Sequence, residues 1–180
     1  SAVPVQFTRE AWEKVAAHVP IGAGVVSVAK GIEVGTLLRP TQIIADVLRE
    51  SGRDDPDAPA RPIASLSGPT IATELAHGLP AAMVAACDDV AFAKAVQAAF
   101  STTWLRIYTN PDVLGVELAG AVKNVIAIAA GVIDGLRAGN NAKSALLARG
   151  PVVDLRPELR VDLDLANVAT GRAAVMRQKT

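Results

Sequence analysis

The sequence predicts an α/β protein in which a mostly parallel sheet, covered by helices, gives way to a helical segment. Three observations predict it. Short β-branched runs bounded by Gly, Pro or charge recur four times in the first 110 residues. Stretches with apolar residues at helical spacing separate them, and strand alternating with helix is the signature of a parallel sheet with helices on its faces. After Tyr108 the strand signal stops, and a helical pattern runs on to about Gly150.

The first periodic stretch, TREAWEKVAAHV (8–19), reads as a helix entered at Thr8, whose hydroxyl can accept from free backbone N–H groups. GVVSVAKG (24–31) reads as a buried strand, and LLRPTQIIADVLRE (37–50) as the next helix. ESGRDDPDAPARP (50–62) is polar and turn-rich, a surface loop. PIASLSGP (62–69) is the second strand, followed by the helix TIATELAHG (70–78) with Pro69 expected in its first turn. AAMVAAC (81–87), the helix DVAFAKAVQAAF (89–100) capped by Asp89, and the strand WLRIYT (104–109) complete the alternating part. NPDVLG is a turn and helix start, and VELAGAVKNVIAIAAGVIDGLRAGNNAKSAL (116–146) is helical. A domain boundary therefore falls near Asn110, dividing the chain into 1–110, 111–150 and a tail, 151–180, whose evenly scattered charges leave it unassigned.

A chain of 180 residues with 51% hydrophobic content can build one sizeable core or two small ones. Eighteen basic residues balance eighteen acidic ones, so neither nucleic acid nor an anionic membrane is indicated as the main partner. The single cysteine, Cys87, fits a reducing compartment, with cytoplasm as the default. SAVPVQF has no signal-peptide pattern. The most apolar segment, 118–133, falls short of the roughly 18 uninterrupted residues of a membrane helix and contains Lys123 and Asn124, which predicts a buried helix of a soluble protein instead.

Three features carry chemistry. Lys123 lies in an apolar helix rich in small residues, where it must snorkel along its own stem, pair, or give up its proton; the alternative to snorkelling is a site lysine exchanging a proton with a substrate oxygen. Lys30 ends a predicted strand and precedes Gly31, at the carboxyl edge of a parallel sheet where α/β folds bind ligands, although a solvated strand-end lysine reads equally well. SLSGPTIATEL (65–75) runs from strand through Gly68-Pro69-Thr70 to a helix start whose free N–H groups favour an anion. His18 and His77 sit near helix ends without a matching ligand cluster, so no metal is expected. Cys87, Trp12 and Trp104 read as packing residues, and Glu117 and Asp134 as caps or partners of undecided role.

The strings AVPVQF, VSVAKGIE, LSGPTIATELAHGLPAAMV, YTNPDVLGVELAGAVKNVIAIAAGVIDGL and GNNAKSALLARG occur in this order. Together, over about residues 2–150, the chain resembles the NAD(P)-dependent glycerol-3-phosphate dehydrogenases of the bacterial type. The resemblance implies a partial Rossmann-like parallel sheet followed by the start of an all-helical substrate domain. It implies NAD or NADP as cofactor and reversible hydride transfer between sn-glycerol 3-phosphate and dihydroxyacetone phosphate, feeding glycerophospholipid synthesis. By the same resemblance Lys123 is the proton-transfer residue, Lys30 touches substrate and cofactor, Gly68 and Thr70 hold substrate, and Phe7 and Ala72 contact the cofactor.

The family's Gly-rich turn of GxGxxG type does not occur in these residues, and the resemblance lapses after Gly150, where Arg172 lacks the expected neighbouring Asn. The chain is therefore expected to be an interior portion of the enzyme with half a cofactor domain, its unpaired sheet edges open to a second copy. The alternatives are a catalytically inactive remnant or assembly module of the same fold, and a dehydrogenase acting on another 2-hydroxy compound.

Overall fold

The computed structural model describes residues 1–54 and 60–149. Its four strands, β1 (Val25–Ser27), β2 (Ile63–Ser67), β3 (Ala81–Ala86) and β4 (Leu105–Asn110), form one sheet in that order. β1 pairs parallel with β2, from Val25 opposite Ile63 to Ser27 opposite Ser65. β3 pairs parallel with β4 from Ala81 opposite Leu105 to Ala86 opposite Asn110. Between β2 and β3 the pairing is antiparallel, Ser67 opposite Val84, so the sheet is mixed where strand-helix alternation alone suggests parallel pairing throughout. Between these strands the chain turns back through residues 68–80, which hold the five-residue helix α3 (Ala72–Ala76).

The helices α1 (Val5–Val15), α2 (Pro40–Glu50) and α4 (Val90–Phe100) are each 11 residues long and lie within the stretches their spacing predicts, apart from the first turn of α1. Two entries differ from expectation. Thr8 lies inside α1, which starts just after Pro4, and its buried hydroxyl donates back to Pro4 O at 3.1 Å. Pro69 precedes α3 and lies outside its first turn, because Ile71 is still extended (φ −104°, ψ 122°). The entry of α2 shows the rule that the residue before proline avoids helical angles: Arg39 is extended and Pro40 takes the first helical position. Asp89 does cap α4, accepting from Phe92 N at 3.0 Å.

Two apolar clusters form the core. Alternate residues of the strands send Ala64, Leu66, Met83, Ala85, Leu105 and Ile107 towards Ala93 and Val96 of α4. Val25 points the other way, with Trp12 and Ala16 from the first helical segment and Ile44, Val47 and Leu48 of α2. Cys87 is buried in the first cluster, which pushes its thiol pKa up. Arg61 staples the loops at the far end of β1 and β2: its guanidinium donates to Pro20 O and Arg53 O at 3.0 Å and to Asp54 at 2.8 Å. Residues 55–59 of the predicted 50–62 loop, and the whole tail 151–180, lie outside the described residues.

Beyond β4 come α5 (Val113–Gly135), capped by Asp112 accepting from Gly115 N at 2.7 Å, and α6 (Gly139–Arg149). α5 is not the buried helix its composition predicts: Glu117 is its only buried residue, and Val125, Ile128, Val132 and Leu136 just past its end are exposed. Its first half rests on β2 and β3 while, among the described residues, little but α6 packs on its second half. By length and hydropathy α5 is also long enough to cross a membrane.

Candidate active site

Where α5 crosses the sheet it encloses a cavity of about 310 Å³, walled by Lys30, Ser67, Gly68, Val84, Gly120 and Lys123 among others. Each wall residue has a local reason for its place. Lys30 follows the carboxyl end of β1, and Gly31 beside it takes φ +110° and packs so closely on Val5 that a Cβ would lie 2.9 Å from that side chain. Ser67 and Val84 are paired neighbours on the strand faces turned away from α4. Val116, Ala119, Gly120 and Lys123 recur at helical spacing on one face of α5. Gly120 allows the helix to approach: a Cβ there would sit 3.1 Å from Ser67 Oγ and 3.6 Å from Lys30 Cγ.

The cavity is cationic. No acidic residue is among those lining it, and two lysines are. Lys30 is half-buried, and its pKa is lowered first by loss of water and then by the nearby Lys123 ammonium. Lys123 itself is exposed at the cavity mouth, as a snorkelling lysine would be, and Lys30 is the partly buried one of the pair. A site with two ammonium groups, a serine hydroxyl and an apolar wall suits a small anion carrying an uncharged carbon skeleton.

The structure thus brings Lys30, Gly68 and Lys123 together. Gly68 has a second reason for being glycine, since a Cβ would meet Ala82 O at 2.6 Å and Met83 Cα at 2.9 Å. Thr70 stands just outside the wall, its hydroxyl 3.5 Å from Gly68 O in the turn. Ala72 is exposed at the start of α3, and the Phe7 ring is 56% exposed on α1; neither is in the cavity wall. Phe7 is an exposed aromatic on the same helix as Val5, whose side chain packs on Gly31 next to Lys30. Ser67 and Val84 were not distinguishable in the sequence, because nothing local marks which strand residues will face a helix that arrives far later in the chain.

Glu117 decides how α5 sits. Its side chain is 1% exposed and its carboxylate accepts from Arg39 Nη1 at 2.7 Å, from Thr41 Oγ1 at 2.7 Å and from Thr41 N at 3.0 Å. It is both cap and partner, supplying from α5 the acceptor that the first turn of α2 lacks.

Comparison with known proteins agrees with this architecture. The family described as NAD-dependent glycerol-3-phosphate dehydrogenase N-terminus matches residues 1–93, and its C-terminus counterpart matches residues 112–153. A glycerol-3-phosphate dehydrogenase of Lactobacillus delbrueckii, named for NAD(P)+, is 48% identical over 149 residues, 83% of this chain and 43% of that protein. A chloroplastic, NAD(+)-named enzyme of Arabidopsis thaliana is 46% identical, covering 83% of this chain and 34% of its own. The chain therefore spans less than half the length of these curated relatives. The crystal structure of the Coxiella burnetii glycerol-3-phosphate dehydrogenase superposes with a TM-score of 0.67 at 34% identity, over 83% of this chain and 42% of that one. The Saccharomyces cerevisiae enzyme does so with a TM-score of 0.65 at 28% identity, over 80% and 41%. With one family description matching half the chain and its C-terminus counterpart matching residues 112–153, the protein belongs to the NAD-dependent glycerol-3-phosphate dehydrogenase family.

Proposed function

We propose that the cavity is the substrate end of an NAD(P)-dependent oxidoreductase that interconverts sn-glycerol 3-phosphate and dihydroxyacetone phosphate, the former a precursor of glycerophospholipids. The observation that carries this is the pairing of Lys30, from the sheet, with Lys123, from α5, in one cavity lined by no acid. Residues 1–110 then serve as part of the cofactor domain and residues 111–150 as the start of the helical substrate domain. A reducing, cytoplasmic setting goes with the single buried thiol of Cys87.

A nicotinamide cofactor, when bound, would supply or accept the hydride at C2 of the substrate. Lys123 Nζ, at the cavity mouth, donates a proton to the C2 oxygen as negative charge grows there and takes it back in the reverse direction. Lys30 adds a second positive charge, and its partial burial strengthens its attraction for the phosphate ester or the developing oxyanion. Ser67 and Gly120 set the floor, Gly68 and Thr70 form the turn at the rim, and Phe7 and Ala72 offer the cofactor a surface outside the wall.

Titration of dihydroxyacetone phosphate into the chain by calorimetry tests this. Binding is expected, weakened in both Lys30→Ala and Lys123→Ala; equal affinity in all three proteins would overturn the reading. In dihydroxyacetone phosphate-dependent oxidation of NADH or NADPH, Lys123→Ala is expected to lower kcat by about 10²- to 10⁴-fold, the usual contribution of a positioned acid.

A further inference from the structure

We propose that Glu117, with Arg39 and Thr41, is a positioning clamp that holds Lys123 against Lys30 across the seam between α5 and the sheet. The inference rests on the reading of the cavity as a phosphate-ester site. Two ammonium groups in a cavity without a lining acid repel each other, and the repulsion acts to part α5, which carries Lys123, from the segment after β1 that carries Lys30. The packing of the first half of α5 on β2 and β3 opposes it. Gly120 approaches Ser67 and the stem of Lys30 closely, while the second half of α5 lies largely exposed.

Glu117 is placed to resist this. It lies one turn before Gly120 and two before Lys123, and three hydrogen bonds tie it to the first turn of α2. The same first turn is the far end of the segment that starts at Lys30. That segment is fixed a second time by Arg9, which donates to Glu33 at 2.9 and 3.0 Å and to Asp46 of α2 at 2.9 Å. Glu117 therefore closes a ring from Lys30 through the loop to Arg39, across to α5, and along α5 to Lys123. A carboxylate only 1% exposed, held by a guanidinium and two further donors, keeps one geometry, since any other leaves a buried charge unpaired. Glu117 touches neither the cavity nor the reacting atoms, so its effect on chemistry passes through the lysine pair.

The test uses the whole chain with its lysines labelled by reductive ¹³C-methylation, which keeps their charge and gives each a titratable signal. Inorganic phosphate is the probe ligand, and the variants are Glu117→Gln and Thr41→Val, with Lys123→Ala as control. In Glu117→Gln the Lys30 titration midpoint is expected to move back up towards that of an ordinary lysine, and phosphate affinity to fall about tenfold, the scale on which small misplacements are felt. Thr41→Val, which deletes one of the three hydrogen bonds, should move both quantities in the same direction by less. A lowered thermal midpoint with the Lys30 midpoint and phosphate affinity unchanged would make Glu117 merely structural and overturn the clamp. If phosphate shifts no lysine signal in any of the proteins, the anion-site reading fails, while the Lys30 midpoint still decides the clamp. If Glu117→Gln does not fold, Thr41→Val decides it alone.

Discussion

Lys30 pays for its position in water lost from its ammonium, and the sign of the consequence follows. Its folded-state pKa is lowered from 10.5, so the folded chain holds this proton less firmly than the unfolded chain does. The resulting cost is constant below the lowered value and is relieved as pH rises from there to 10.5. A bound phosphate reverses the preference, because it favours the charged amine. Phosphate affinity is therefore expected to fall as pH rises through the lowered Lys30 value, and calorimetry across that range should show the fall blunted in Lys30→Gln. Gly68 offers a prediction of another kind. A methyl group there meets backbone of β3, which cannot rotate aside, so Gly68→Ala is expected to cost about 1–3 kcal/mol, measured as a lower urea midpoint. Both residues stood out in the sequence by their place at strand ends, whereas Ser67 had no mark, since its role depends on a helix more than forty residues further on.

At the scale of elements, each strand and helix of the first 110 residues was legible, because period-2 and period-3.6 patterns report burial on a face directly. Pairing direction was not, since it depends on how the connection fits in space, and neither was the exposure of α5, since composition cannot say what lies against a helix. Val125, Ile128, Val132 and Leu136 recur at helical spacing and form a continuous apolar stripe in solvent. Such a stripe promotes self-association at high concentration. Ile128→Glu is expected to lower the apparent mass by light scattering and to leave phosphate affinity unchanged, because Ile128 does not line the cavity.

Across the whole molecule, two apolar clusters on opposite faces of one sheet are tied by few polar struts, and Arg61 is the chief one at the end away from the cavity. Replacing it by Met leaves the carbonyls of Pro20, Ala23 and Arg53 without this donor, at a cost of about 1 kcal/mol in denaturant unfolding. The candidate site as a whole was legible only in part. The two lysines could be picked out singly because charge is conspicuous among apolar neighbours, but their meeting in one cavity is a property of the assembled molecule. Glu117 shows the limit most clearly: its partners lie 76 and 78 residues away, beyond any local pattern.

That separation orders events in time. The strands β2, β3 and β4 with α4 lie consecutively in the chain and join through short connections, whereas the Glu117 contacts must close a loop of more than seventy residues. Loop closure of that length is slow and entropically costly, so the sheet forms first and the lysine cavity last. Amides of β3 and β4 should accordingly gain protection from hydrogen exchange before those of the first turn of α2 during refolding. A nascent or partly unfolded chain then carries its two lysines apart, and the capacity to bind an anion appears only with the final docking of α5.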